Sequence, residues 1–594
     1  MKKNFKKLYS FILCLAIITV SITALPANAI AATTVSFSDK IIFENDVLGE
    51  TSTYGLNNTG TEQEEPESLS VTLRFEESFS CDCGEITSDE ELSFHRAELK
   101  EYYKALNERR IEALELEDNS DISYSHYGPF IEYVYEDYNS FTADDYDTLA
   151  RKNPSDMTHV YIGNNYREEE SATIGTGTRP DYNFADALAD VGIPTNKTKH
   201  GEGIRIGVLE PKVPDSYAHM EAGYYYEYVD PEKESESDLN NPNESMTRSS
   251  HPFFVSAVLG GNYGIADKAT IYFASTNSYS FLDCINWFLD NDINIINKSA
   301  GVINGSYTAK AALVDYIVRT TRITWVNSAG NQRNKTQNTY MFFDTSTSTN
   351  AICVASNDAD KKISCFSSYL MSDIWEHRNC FLKPTITAPG GSIYNIANSD
   401  TTKSGTSYSA PFVTGIIALL MEEFPELTYS PEIVLALITS TCTNVAGQTG
   451  VVDEDAGFGI INYQNARQAY ANTDSFVSYG NLSIGDVIRT NTITVNPNSN
   501  VLVTAVMLFN ATYDGYGSYS PSLHAPNYRE VLLKVYDSSN NLVFTGTQVA
   551  NFSHVTISNT SGVSKTYTIK LCSNETITDN DTSTHFGALC YAYK

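Results

Sequence analysis

Lys403-Ser404-Gly405-Thr406-Ser407-Tyr408-Ser409-Ala410-Pro411 runs directly into an apolar stretch, Ala410 to Glu423, long enough for a buried helix. A glycine turn followed by a serine at a helix amino end exposes the hydroxyl and gathers backbone N–H groups where negative charge can develop. A plain helix cap by Ser404, Ser407 or Ser409 is the simpler use of the same residues, and Gly-Thr-Ser is a short motif that occurs freely. Upstream of this stretch, apolar runs alternate with helical patterns. Ile204 to Leu209, Thr270 to Phe273, Ile293 to Ile296 and Ile323 to Val326 read as strands. His251 to Leu259, Phe281 to Leu289 and Ala311 to Arg319 read as helices, and a last helix is expected near Pro431 to Ser440. Continuously apolar strands separated by helices predict an α/β fold, with a doubly wound, mostly parallel sheet covered on both faces.

Two further segments carry polar chemistry. Ser249-Ser250-His251-Pro252 places a histidine at a helix start, with proline suited to the first helical position. Asn327-Ser328-Ala329-Gly330-Asn331 follows directly on a strand. Each alone reads as an ordinary cap or an Asn/Gly turn. An esterase-type elbow would need Gly-x-Ser-x-Gly, and Gly405-Thr406-Ser407-Tyr408-Ser409 lacks the second glycine.

Taken in order, these segments resemble the subtilisin-like serine peptidases over about Asn183 to Ala471. The strand Ile206 to Glu210 is similar to the one ending in the family's triad acid, and Ser250-His251 resembles the triad histidine segment. Asn297-Lys298-Ser299-Ala300-Gly301 resembles the substrate-binding edge, and Ala329-Gly330-Asn331 the stretch with the oxyanion asparagine. Lys383 to Gly390 and Gly405 to Pro411 match the run up to the nucleophile. The order acid, histidine, serine along the chain is that of subtilisin. The resemblance implies a serine endopeptidase with Glu210, His251, Ser407 and Asn331 as catalytic residues. Ser299, Ala300, Gly301, Ala329 and Gly330 would line an extended polypeptide substrate. It implies no cofactor for the chemistry; structural calcium would fit the family, but no ligand set matches. Two positions depart from the pattern. Glu210 stands where the family has Asp, with Asp215 as the fallback acid, and Pro252-Phe253-Phe254 replaces Gly-Thr-His after the histidine. The competing expectation is a catalytically weakened or inactive protein that keeps the fold as a binding module.

The flanks predict a precursor. Lys2, Lys3, Lys6 and Lys7, the apolar run from Leu8 to Leu25, and the small residues Ala27 and Ala29 predict a secretory signal peptide over residues 1–29. Residues 65–165 read as β-α-β-β-α-β, an α+β ferredoxin-like unit. Ser88 and Glu91 make a capping box for a helix carrying Leu92, Leu99, Tyr103, Leu106 and Ile111. By resemblance this unit is an inhibitory propeptide, released by cleavage between about Asn165 and Arg179, and residues 183–472 are the catalytic domain. Short apolar runs split by Asn, Gly and Ser over residues 473–594 predict an all-β sandwich. The 594 residues carry a net charge of −33, which repels nucleic acid and anionic lipid. The expectation is a secreted monomer without membrane anchor, its partners being polypeptide substrates and its own propeptide. Export permits disulfides among the ten cysteines, and sequence proximity nominates Cys365 with Cys380 and Cys572 with Cys590.

Overall fold

Seven strands build the central sheet: β1 (Arg205–Glu210), β2 (Tyr225–Glu227), β3 (Thr270–Ser275), β4 (Ile295–Lys298), β5 (Thr324–Ser328), β6 (Ile352–Asn357) and β7 (Ile386–Pro389). They lie in the order β7-β6-β5-β4-β1-β3-β2, and every pairing is parallel. This computed structural model describes residues 41–44, 68–79, 86–116, 122–135, 143–165, 182–229, 248–302, 307–333, 344–369, 383–479, 485–508, 531–573 and 584–594. Ile206, Val208 and Leu209 on β1, and Trp325 and Val326 on β5, are all buried, as expected of strands covered on both faces. β1 pairs with β3 on one side and with β4 on the other, and the chain crosses over β1 between β3 and β4. The carboxyl ends of β1 and β4 therefore flank a topological switch point, where open α/β sheets bind ligands.

Five helices matter for the site: α1 (Ser250–Leu259), α2 (Phe281–Asp290), α3 (Ala309–Thr321), α4 (Thr406–Glu423) and α5 (Pro431–Thr441). α4 lies across β4 to β7 and against α1. Two helix starts differ from expectation. α4 begins at Thr406, four residues before Ala410, so Pro411 sits inside the helix and Ser407 falls in its first turn. Proline lacks the N–H that would bond the carbonyl four residues back, so the pattern around Pro411 reads as a start when it is an interruption. α1 begins at Ser250, which makes Pro252 the third helical residue and not the first. β6 and β7 were not foreseen as strands; β7 sits between Pro384 and Gly390, residues that signal turns.

In the N-terminal part, strands Ser68–Phe75, Ile122–Tyr124, Phe130–Tyr135 and Met157–Asn165 alternate with helices Asp89–Leu114 and Ala143–Lys152. The sheet order is 157–165, 68–75, 130–135, 122–124, and an unforeseen strand, Ile41–Glu44, pairs parallel with Met157–Asn165. Ser88 Oγ accepts from Glu91 N at 3.2 Å, as a cap should. The Glu91 carboxylate, however, bonds the N–H and hydroxyl of Thr87, one residue before the expected partner. This helix docks on the central unit through buried Arg96, whose Nε and Nη1 donate to Thr321 O and Ile293 O at 2.9 and 3.1 Å. Tyr103 meets Tyr316 of α3 edge-on.

The C-terminal strands form a five-stranded and a four-stranded sheet around their own apolar cluster, which includes Val503, Leu533, Ile557 and Ile569. Val506, Leu508, Phe552 and Ala588 instead join the central core beside α5. Cys572 and Cys590 are both free, buried thiols, on strands of different sheets, and the nominated bridge is not formed. Spacing along the chain is a poor guide here, because neighbouring strands in sequence belong to different sheets. Cys380, the signal segment and the cleavage region 166–181 lie outside the described residues. Among the described residues, no helix is long and apolar enough to cross a membrane.

Candidate active site

Glu210 is the last residue of β1 and is 1% exposed. One carboxylate oxygen accepts from Ser299 N at 3.1 Å, and the other lies 3.2 Å from His251 Nδ1. Oε2 and Nδ1 are at ion-pair distance without the alignment of a hydrogen bond, and a carboxylate placed there can orient the imidazole and balance its charge. Asp215, the fallback acid, is exposed; its backbone N–H donates to Ser249 O at 2.9 Å. Its carboxylate acts on Lys403, opposing the larger effect of burial, which lowers that ammonium's pKa.

His251 occupies the second position of α1. Ser249 Oγ caps this helix, accepting from His251 N at 3.2 Å. The imidazole centroid is 5.8 Å from that of Tyr408, the residue after Ser407, which brings the base to the amino end of α4. Ser407 is fully buried, and its Oγ donates to Ser299 O at 2.7 Å. The capping alternative does not hold for it: Gly405 is the N-cap and no side chain caps α4.

The Asn331 amide is oriented by a residue that sequence reading passed over. Asn331 Oδ1 accepts from Thr406 N and Thr406 Oγ1 at 2.9 and 3.1 Å, and Thr406 Oγ1 accepts from Gly330 N at 3.0 Å. One hydroxyl thus ties the turn after β5 to the helix that carries Ser407. With Oδ1 committed, Asn331 Nδ2 is a buried donor without a protein partner. Leaving such a group unmet costs about 1–3 kcal/mol, a cost that fits a donor reserved for developing charge. Thr406 was visible only as the middle of Gly-Thr-Ser; no local pattern announces its contacts across 75 residues of chain.

Ser299, Ala300 and Gly301 continue the chain beyond the end of β4, and Ala329 and Gly330 beyond the end of the neighbouring β5. Ser299 O turns toward Ser407, whereas Ala300 O is held by the ammonium of buried Lys298 at 2.6 Å. Gly330 O accepts from Ser368 N at 3.0 Å. The replaced residues after the histidine also have partners: Phe253 stacks edge-on with His219 and Phe254, and Lys403 Nζ lies 3.9 Å from the Phe254 ring centre. His219 is buried beside Ser256 Oγ at 2.9 Å, and burial lowers its pKa to about 4. Among the described residues, no group of three or more His, Cys, Asp or Glu is placed to hold a metal ion. An acid, a base, a hydroxyl and an N–H donor thus lie at the carboxyl ends of β1, β4 and β5 and the amino ends of α1 and α4, with the hydroxyl hydrogen-bonded to Ser299 O and not to the imidazole; these are the groups that acyl transfer needs.

Residues 201–459 match the peptidase S8 family model, described as the subtilase family. Subtilisin DY of Bacillus licheniformis is 29% identical over 221 residues, 35% of this chain and 72% of that protein. A subtilisin-like protease of Coccidioides posadasii is 32% identical over 229 residues, 35% of this chain; the match spans about half, 52%, of the fungal protein. A solved cold adapted subtilisin-like serine proteinase aligns at 18% identity with a TM-score of 0.34, covering 47% of this chain and 97% of that one.

Proposed function

We propose, from the match of residues 201–459 to the subtilase family model and the similarity to subtilisin DY, that this chain is a subtilisin-like serine endopeptidase, made as a secreted zymogen and cleaving extended polypeptides through Glu210, His251 and Ser407. His251 takes the proton of Ser407 as Oγ leaves Ser299 O and attacks the substrate carbonyl. Glu210 keeps the imidazole oriented and balances its charge. Asn331 Nδ2 and the Ser407 backbone N–H receive the oxyanion, and His251 then protonates the leaving amine. Ser299 to Gly301 add the substrate as a strand, with Ala329 and Gly330 opposite. The observation that carries this reading is the Glu210 carboxylate spanning Ser299 N and His251 Nδ1.

In this reading residues 1–29 direct export, and 65–165 form a ferredoxin-like propeptide cut from the enzyme between about residues 165 and 179. Residues 183–472 are the catalytic domain, 473–594 a β-sandwich, and the mature enzyme is a monomer. The sheet order of the N-terminal part and its polar docking on α3 support the propeptide role. The test is labelling with a fluorophosphonate. Wild type is expected to be labelled and to mature, while Ser407→Ala stays unlabelled and at precursor size. Processed wild type that takes no label would favour the non-catalytic binding module, the reading suggested by Pro252-Phe253-Phe254.

A further inference from the structure

An ion pair at the entrance to α1 has no part in the chemistry described above. Arg248, three residues before His251, donates from Nη1 and Nη2 to the two oxygens of Glu227 at 2.8 and 3.0 Å, and from Nη1 to Pro214 O at 2.7 Å. Tyr217 OH also donates to Glu227, and its ring lies flat on that of Tyr225, with centroids 4.2 Å apart and planes 6° from parallel. The pair is mostly shielded, with side chains 19% and 14% exposed. Such a forked contact fixes direction as well as distance.

The contact reaches His251 by short covalent and hydrogen-bonded steps. Arg248-Ser249 pairs in parallel with Val213-Pro214, which follow Glu210 closely. Ser249 O accepts from Asp215 N, and Ser249 Oγ caps the turn that holds His251. On its other side, Glu227 is on β2, paired with Phe273 of β3, and β3 carries Ser275 opposite Glu210 on β1. The acid is thus fixed by the sheet, whereas the base sits on a helix whose first turn meets that sheet through Arg248, Ser249 and their partners. A shielded ion pair is a poor source of stability, since apolar residues of similar volume often serve as well. Its geometric consequence is larger, because misplacing a catalytic group by 1 Å can cost about a hundredfold in rate.

We propose that Arg248 and Glu227, braced by Tyr217, are positioning residues that set the His251 imidazole against the Glu210 carboxylate. The proposal rests on the peptidase reading and adds residues to it that touch neither substrate nor reacting atoms. The experiment compares full-length protein, matured in the same way, as wild type, Arg248→Met, Arg248→Lys, Glu227→Gln, Tyr217→Phe and the double variant Arg248→Met/Glu227→Leu. Active sites are counted with a fluorophosphonate; kcat, KM and the pH profile are measured per labelled site on a quenched peptide, with Tm alongside.

Arg248→Met and Glu227→Gln should lower kcat per site by about tenfold to a hundredfold with KM within about twofold. The acidic limb of their pH profiles should shift, because the carboxylate's hold on the imidazole changes. Arg248→Lys should recover part of the rate, having the charge without the fork, and Tyr217→Phe should lose only about two- to fivefold. The double variant should keep a near-native Tm and still be slow, which a purely stabilising pair would not predict. Unchanged kcat per site and pH profile in these variants, with only Tm lowered, overturns the proposal. Tyr217→Phe, which removes a single hydroxyl, gives that answer even if the Arg248 and Glu227 variants do not fold. A matured wild type that neither labels nor cleaves overturns the peptidase reading and the proposal with it.

Discussion

Replacing Glu210 by Asp would install the acid that the family ordinarily uses, yet it should damage this enzyme. The Glu210 oxygens lie 3.1 Å from Ser299 N and 3.2 Å from His251 Nδ1. Removing one methylene withdraws the carboxylate by about 1.5 Å, one C–C bond length. Both contacts would then exceed about 4 Å, beyond hydrogen-bonding range, in a site where Glu210 is 1% exposed and water cannot readily substitute. We expect kcat/KM of Glu210→Asp to fall by about tenfold to a hundredfold, the cost of a misplaced base. Glu210→Gln keeps the length but loses the charge, and should fall by about 10⁴, as loss of the triad charge does in trypsin. That ratio corresponds to about 5.4 kcal/mol at 1.36 kcal/mol per decade. The assay is peptide hydrolysis normalised to fluorophosphonate-labelled sites, with Tm measured to show that both variants fold. Asp215→Asn is the control and should be neutral, since Asp215 is exposed. Glu210→Gln within tenfold of wild type, or Asp215→Asn as slow as Glu210→Gln, would refute the assignment of Glu210 as the acid.

Three further outcomes are expected. Asn331→Leu removes the unpartnered Nδ2 donor and should lower kcat by about 10²–10³ with little change in KM, the range found for subtilisin's oxyanion-hole asparagine; it should also lower Tm, because Thr406 loses its acceptor. A chain ending at Asn472 would uncover α5 and remove Phe586 from the Arg322 guanidinium 3.9 Å away, which is itself paired with Glu432; aggregation or a Tm drop of several degrees is expected, and an active truncated enzyme of unchanged Tm would count against that account. Burial lowers the pKa of His219 and His554 to about 4 each, so between about pH 6.5 and pH 4 the unfolded chain binds more protons than the folded one. Stability contributed by these two groups is therefore complete above about pH 6.5 and is lost as pH falls toward 4; denaturant titrations across that window should show the decline, and His219→Gln should make it shallower.

Much of the central fold is legible along the chain, because the signals are local. Apolar runs such as Ile204 to Leu209 and Ile323 to Val326 are long enough to mark strands buried on both faces, and the helical spacing between them implies crossovers and a parallel sheet. β7 was obscured for an equally local reason, its flanking Pro384 and Gly390, and the start of α4 was displaced by Pro411. The candidate site is legible only in part. Ser407 and His251 lie at helix starts that composition predicts, and resemblance supplied the roles of Glu210 and Asn331.

What tertiary structure decided are the relations between segments far apart in sequence. Glu210 and Asp215 are both carboxylates near one strand end; only the packing of β4 and α1 around β1 puts one against His251 and leaves the other exposed. The direction of the Asn331 amide follows from a threonine 75 residues away, and the placement of Cys572 and Cys590 on different sheets from how the strands pair. Secondary structure follows from neighbours within a few residues, so the sequence by itself determines it well. Hydrogen bonds as short as 3 Å between distant segments depend on how whole layers pack, and no short stretch of sequence encodes that distance.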